Sequence, residues 1–167
     1  LDVERVGGSI NAYTAKDHTA YETEMLAEHA DVALDVLADV LRRSAFPADE
    51  IERERQVILQ EIGDAADDPE SMAQDAFDAT AWPRQALGRP ILGVPRNIRR
   101  ISRDDLLRFQ ACHCTGENMV ITGVGGVDHD AFCEQVERHF GDMPAGVRES
   151  RDGARYVGGY KHLDDDT

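Results

Sequence analysis

Residues 53–62 read RERQVILQEI, and the placing of Glu54 and Glu61 within that run decides how the chain is understood. Ile51, Val57, Ile58 and Ile62 recur at helical spacing, which predicts a helix with one apolar side. At about 100° per residue, Glu54 and Glu61 fall between Val57 and Ile58, inside that apolar arc. Glu52, Arg53, Gln56 and Gln60 take the opposite, solvated face. A carboxylate on a buried stripe costs free energy unless a cation or a set of donors receives it. Periodicity leaves two readings open. Either both glutamates lie at the margin of the stripe and bond buried backbone or arginine, or they serve a metal, one as ligand and one as supporting carboxylate.

The helix around this run begins near Pro47, a favoured first-turn residue, with Asp49 and Glu50 complementing its dipole. It runs to about Ala65, before the break at Asp67-Asp68-Pro69. Upstream, Val32, Val36, Leu37, Val40 and Leu41 predict a helix over residues 31–44. Before that, SINAYTAKDHTAYETEML (residues 9–26) predicts a hairpin turning at Lys16-Asp17-His18, with Gly7-Gly8 leading in.

Downstream, a helix runs from Glu70 to about Trp82 and stops before Pro83. Residues 84–100 carry Gly88, Pro90, Gly93 and Pro95 and read as an ordered loop. A helix from Ser102, with Asp105 as a capping-box variant, extends to about His113. ENMVITGVGGV (residues 117–127) reads as a strand ending in glycines. Asp128 then caps a helix that stops near Gly141. The tail, ARYVGGYKHLDDDT (residues 154–167), is expected to hold one short extended segment and to fray. No repeat or domain boundary is visible. The element order ββααααβα predicts an α+β domain, with helices packed on a mostly antiparallel sheet.

Composition narrows the function. The length, 167 residues, suits one domain, and 41% apolar with 31% charged residues argues against disorder. Thirty-three acidic residues against 18 basic ones give a formal charge of −15, which argues against nucleic acid, whose affinity rests on neutralised phosphates. The surplus reads as a solvated acidic surface. No apolar run approaches the length of a membrane span, so no membrane partner is expected. LDVERVGGSI lacks the basic and apolar regions of a signal peptide and reads like the middle of a protein. Three cysteines, an odd count, make a disulfide framework unexpected. The compartment stays open, with a soluble, cytoplasmic setting favoured over a bacterial-type or organellar one.

Other metal candidates are weaker. No HExxH is present. Met25-Leu26-Ala27-Glu28-His29 looks like an HxxEH with its first histidine replaced, but it lies where the hairpin gives way to a helix. Cys112-His113-Cys114 lacks a second Cys/His pair at suitable spacing, and one buried and one surface cysteine at a helix end is the better reading. His18, His129, His139 and His162 are isolated. Gly123 to Gly126 (GVGG) lacks a phosphate-loop pattern.

Taken together, GGSINAYT, ERERQVILQEI, the DDP after it, LGRPILG and NMVITGVGGV resemble the zinc metallopeptidases of the pitrilysin, insulin-degrading enzyme and mitochondrial processing peptidase family. The similarity covers nearly the whole chain, from Gly7 to about Gly141. In that family an inverted H-x-x-E-H helix supplies two zinc-binding histidines and the glutamate that activates water, and a distant glutamate is the third ligand. The resemblance makes Glu61 that metal ligand and Glu54 the supporting carboxylate of the catalytic site. It makes Ile10, Asn11, Ala12, Tyr13 and Thr14 an edge strand to which an extended substrate adds by main-chain hydrogen bonds. It also implies a peptide or unfolded polypeptide as substrate, and a second homologous half or subunit as partner.

One departure is decisive: the inverted histidine motif is absent. Family spacing would put it before Leu1, so the chain is expected to be a partial N-terminal, catalytic-half domain beginning just after that motif, with the second half missing. With one ligand of three, the fragment is expected neither to hold catalytic zinc nor to cleave peptides. A smaller departure is His113-Cys114, where the family often has His-Tyr. The resemblance implies a zinc-dependent endopeptidase as the parent. Its alternative is a non-catalytic homologue acting as a structural or partner subunit; an acidic binding module is a third reading. Glu54 and Glu61 favour the peptidase.

Overall fold

The computed structural model describes residues 2–147 and 153–163. In chain order the elements begin with α1 (Asp2–Arg5), β1 (Ser9–Thr14), β2 (Thr19–Glu24) and α2 (Ala30–Arg42). They continue with α3 (Ala48–Ala66), α4 (Pro69–Ala81), α5 (Pro95–Ile98), α6 (Arg103–His113) and α7 (His129–Phe140). The fold is α+β, as its sequence pattern predicts, with one antiparallel pair, β1 and β2, among the described residues. These residues group into two compact units, and each is described by itself.

The first unit holds residues 2–14, 19–46 and 103–147. Its core is where α2 meets α7: Leu34, Ala38 and Phe140 are buried, and Leu37, Leu41, Phe132, Val136 and Met143 pack around them. Arg42 and Arg138 lock the rim of this core, reaching the His139 carbonyl and Asp31 respectively. Asp128 accepts from the Ala131 N–H at 3.0 Å and so caps α7, in line with the sequence. The hairpin pairs Ser9 with Glu24 through to Thr14 with Thr19.

Residues 117–127 depart from the sequence expectation. They form no strand; residues 116–118 make a 3-10 turn, Met119 is extended, and residues 120–127 make no backbone hydrogen bond among the described residues. A strand needs a ladder as well as a β-prone sequence, and no described segment pairs with this one.

The second unit holds residues 15–18, 47–102 and 153–163. Pro47 stands just before α3 rather than inside it, and its carbonyl accepts the Ile51 N–H at 3.0 Å. Asp68 starts α4, accepting from the Ser71 N–H at 2.9 Å, with Pro69 in the first turn. Ser71 holds the Asp68 carboxyl below its ordinary range, first through its side chain and then through its backbone N–H. The loop after Trp82 is ordered by a 3-10 turn at Ala86–Gly88 and by α5. Gly88 passes so close to Trp82 that a Cβ would overlap the Trp82 carbonyl oxygen at 2.2 Å.

The tail is pinned rather than frayed as far as it is described. Gln85 accepts from the Arg155 N–H and donates to the Arg155 carbonyl, both at 2.8 Å, and the Val157 N–H reaches the Ala81 carbonyl. Tyr156 meets Trp82 edge-on. The reason is that backbone leaving α4 needs partners and Gln85 supplies a matched pair. Residues 164–167, the rest of the expected frayed tail, lie outside the described residues.

Candidate metal centre and substrate strand

The helix predicted around RERQVILQEI exists, but it presents its faces differently. Ile51, Arg55, Ile58, Leu59, Ile62 and Ala65 are the partly covered positions of α3. Their spacings of four, three, one, three and three residues trace one helical face. Glu54, Val57 and Glu61 share the adjacent face and are exposed, Val57 to 48%. The expected burial of the two glutamates is therefore corrected, because it is Arg55, not Glu54, that shares the arc with Ile51 and Ile58. Its stem packs there while its guanidinium reaches polar backbone at the edge.

Arg55 is the residue that sequence reasoning passed over. Its side chain is only 15% exposed and donates to the carbonyls of Ile98 and, at 2.9 Å, Ile101. It also pairs with Glu52 at 3.0 Å, holding the Glu52 carboxyl below its ordinary range through hydrogen bonds from Arg55 and then Gln56. The 51, 55, 58, 62 spacing could have marked it.

The carboxylates of α3 divide into two sets. Asp49 and Glu50 pair with Arg53, and Glu52 pairs with Arg55. Among the described residues, Glu54, Glu61 and Asp64 have no such partner on the exposed face. Glu54 and Glu61 lie two turns apart, a rise of about 10 Å. One ion held at Glu61 would thus feel Glu54 as a nearby charge more readily than as a second ligand. An accessible, unpaired carboxylate is a suitable oxygen donor for zinc. One donor does not make a site, and among the described residues no three His, Cys, Asp or Glu side chains cluster to hold a metal ion.

The other histidines and cysteines are engaged elsewhere. Glu28 and His29 lie on a 3-10 turn before α2 and pair with each other at 3.6 Å. Nε2 of His139 lies 3.0 Å from Asp31, joining α7 to α2. Cys112 is exposed, and Cys114 is half-buried where the sequence reading has one of the pair buried. Burial pushes the Cys114 thiol up, which favours the protonated form over a metal-binding thiolate. Burial, and then the charge of Cys114, raise the Tyr21 phenol as well.

Ile10, Asn11, Ala12, Tyr13 and Thr14 all lie on β1. The Ala15 N–H bonds the His18 carbonyl at 2.8 Å and closes the turn, which sets the phase of the antiparallel ladder. By alternation, Tyr13 and Asn11 face β2 with their main chain, and Ile10, Ala12 and Thr14 direct theirs to the open edge. The Asn11 carboxamide oxygen accepts from the Ala12 N–H at 2.9 Å, as that phase requires. At the tip, the Lys16 Nζ meets Asp78 Oδ2 at 2.9 Å as an ion pair without a well-aligned hydrogen bond, and donates to the Arg89 carbonyl at 2.6 Å. Asp78 is itself buried. The edge strand and the carboxylate face belong to different units, so the structure groups Glu54 with Glu61 and the five strand residues with one another.

Comparison with known proteins identifies the family of the chain. Residues 1–94 match the model of the family described as Insulinase (Peptidase family M16), and residues 100–163 match the Peptidase M16 inactive domain. A Rickettsia bellii protein named as an uncharacterized zinc protease is 36% identical over 165 residues, spanning 99% of this chain and 40% of that protein. The mitochondrial-processing peptidase subunit beta of Lentinula edodes is 39% identical over 144 residues, 86% of this chain and 31% of that one. A solved protease from Helicobacter pylori shares the fold with a TM-score of 0.81 at 24% identity, over 92% of this chain and 37% of that one. The chain thus spans about 40% of the length of the Rickettsia relative. No helix among the described residues is long and apolar enough to cross a membrane.

Proposed function

Because the chain belongs to the insulinase family of peptidases, we propose that it is part of the catalytic half of a zinc-dependent endopeptidase. Glu61 is assigned as the one zinc ligand of this chain, completed by two histidines outside it, and Glu54 as the supporting carboxylate. What supports this is the exposed, unpaired state of both side chains on a helix whose earlier acids are paired with arginine. When bound, zinc supplies a Lewis acid and an activated water for attack on a peptide carbonyl. Glu61 contributes a fixed anionic oxygen, and Glu54 a negative charge about two turns away that favours cation binding.

The substrate is proposed to be an extended peptide or unfolded polypeptide that adds to the open edge of β1. The outward main-chain groups of Ile10 and Thr14 and the Ala12 carbonyl would hold it, with Asn11 and Tyr13 on the same strand setting the register of β1 against β2. A second homologous half or subunit is proposed as partner, in keeping with the processing-peptidase relative, whose name marks it as a subunit.

A second reading has one observation in its favour. Residues 100–163 match a domain described as inactive, which fits a non-catalytic partner subunit. The parent polypeptide decides between the two. On the peptidase reading it carries one zinc per active site by metal analysis and cleaves a quenched fluorescent peptide, and Glu61→Gln abolishes both. A parent without zinc, or one with zinc but no cleavage, supports the partner-subunit reading instead.

A further inference from the structure

Residues 79–103 carry no Asp or Glu, yet they hold Arg84, Arg89, Arg96, Arg99, Arg100 and Arg103, six of the 18 basic residues in a chain of formal charge −15. Arg103 is occupied, donating to the carbonyls of Ala45 and Phe46. The other five are exposed, and among the described residues none of their guanidinium groups has an ion pair or a hydrogen bond. Seven arginines outside this stretch, Arg42 and Arg138 among them, each stand in an ion pair with Asp or Glu. With 33 acids in the chain against 18 bases, five neighbouring cations without a partner are the exception.

The backbone groups three of them. The helical turn of α5 continues past Ile98: the Arg99 N–H bonds the Pro95 carbonyl at 3.0 Å, and the Ile101 N–H bonds the Asn97 carbonyl at 3.1 Å. Arg96, Arg99 and Arg100 stand at i, i+3 and i+4 and so share one side of this turn, while Ile98, on the other side, is partly covered. Arg55 fixes the end of the turn by donating to the carbonyls of Ile98 and Ile101. The three cations are thus presented on a held backbone, and a ligand has only their side chains to order. Val94 before the turn and Ile101 after it are 38% and 37% exposed. Arginine beside exposed aliphatic side chains suits contact with another polypeptide.

We propose that Arg96, Arg99 and Arg100 form a docking site for an acidic, partly apolar segment of a partner polypeptide. Its carboxylates take the guanidinium forks through paired hydrogen bonds, and its apolar side chains cover Val94 and Ile101. Charge selects this occupant over an extended polyanion. The three arginines span about one helical turn, and charges act over a Debye length of about 8 Å at physiological salt. A short acidic segment meets those cations alone. Nucleic acid or an anionic bilayer would also lie against the acidic remainder of the chain. The proposal stands apart from the metal chemistry and survives if Glu61 binds nothing.

Fluorescence anisotropy with the parent polypeptide tests it, using a short labelled peptide of Glu, Leu and Ala, and the same peptide with Lys in place of Glu. The expected result is that the Glu peptide binds at least about tenfold tighter than the Lys peptide. The triple variant Arg96→Gln, Arg99→Gln, Arg100→Gln weakens that binding by about 30-fold or more, as three lost charge pairs imply. Arg53→Gln leaves it unchanged, because Arg53 already pairs with Asp49 and Glu50. No binding of the Glu peptide, equal binding of both peptides, or binding that the triple variant keeps overturns the proposal. A triple variant that melts well below the parent marks the arginines as structural and also overturns it. Tighter binding of a uridylate oligonucleotide or of pure phosphatidylserine vesicles, lost in the triple variant, assigns the patch to phosphate instead. Self-association of the parent that the triple variant abolishes, read by sedimentation, assigns it to a second copy, and either result overturns the proposal.

Discussion

Glu54 and Glu61 stand in water, so neither carries the desolvation penalty that a core position would impose. Substituting either by glutamine in the 167-residue chain should therefore change unfolding free energy by less than about 0.5 kcal/mol, measured by urea titration. In the parent, Glu54→Gln should lower peptide cleavage by about 10- to 100-fold, the usual cost of losing a supporting group. A large loss of stability in the short chain would show that these side chains are structural. Arg55 behaves in the opposite way. Its guanidinium serves two carbonyls from a largely covered position, so Arg55→Leu should destabilise the chain by about 1.5–3 kcal/mol. Thermal unfolding reads this directly, and a neutral result would mean that water replaces the guanidinium at both carbonyls.

At the scale of elements, α3 and α4 are divided by two aspartates and a proline, and the second aspartate does the starting. The hydrogen bonds from Ser71 hold the Asp68 carboxyl below its ordinary range in the folded state. A depressed folded value means the bond stabilises α4 above the unfolded value, near 3.8, and is lost as pH falls through the folded one. Acid titration followed by helical circular dichroism should show this contribution vanishing below about pH 4, and Asp68→Asn should flatten that limb. An unchanged acid limb in the variant would assign the sensitivity to other carboxylates. Residues 119–124 make the complementary point about elements. Their sequence alternates as a strand face does, but a strand is a property of two segments, and no described segment pairs with this one.

Across the whole molecule the first unit depends on few buried groups. Leu34, Ala38 and Phe140 are the buried centre of the α2–α7 core, and Leu34 is 3% exposed. Leu34→Ala should cost about 2–5 kcal/mol, measured by chemical denaturation, because the cavity opens where little else can move in. A cost below about 1 kcal/mol would mean that Leu37 and Leu41 collapse into the space.

The hairpin, the helices, the cap at Asp128 and the family itself were legible in the residues, because each rests on spacing or on chemistry local to a few positions; the cap at Asp68, read only as a break, came from the structure. The roles of Glu54 and Glu61 came from ordered resemblance, not periodicity. Sequence by itself determined that Glu54 and Glu61 share one side of a helix, since two turns return a side chain to nearly the same bearing. Only the tertiary structure decided that this side faces solvent, because Arg55, with two carbonyls to satisfy, claims the covered arc. The same physics explains residues 119–124: alternation is written in the chain, but a strand also needs a ladder, and no described segment supplies one.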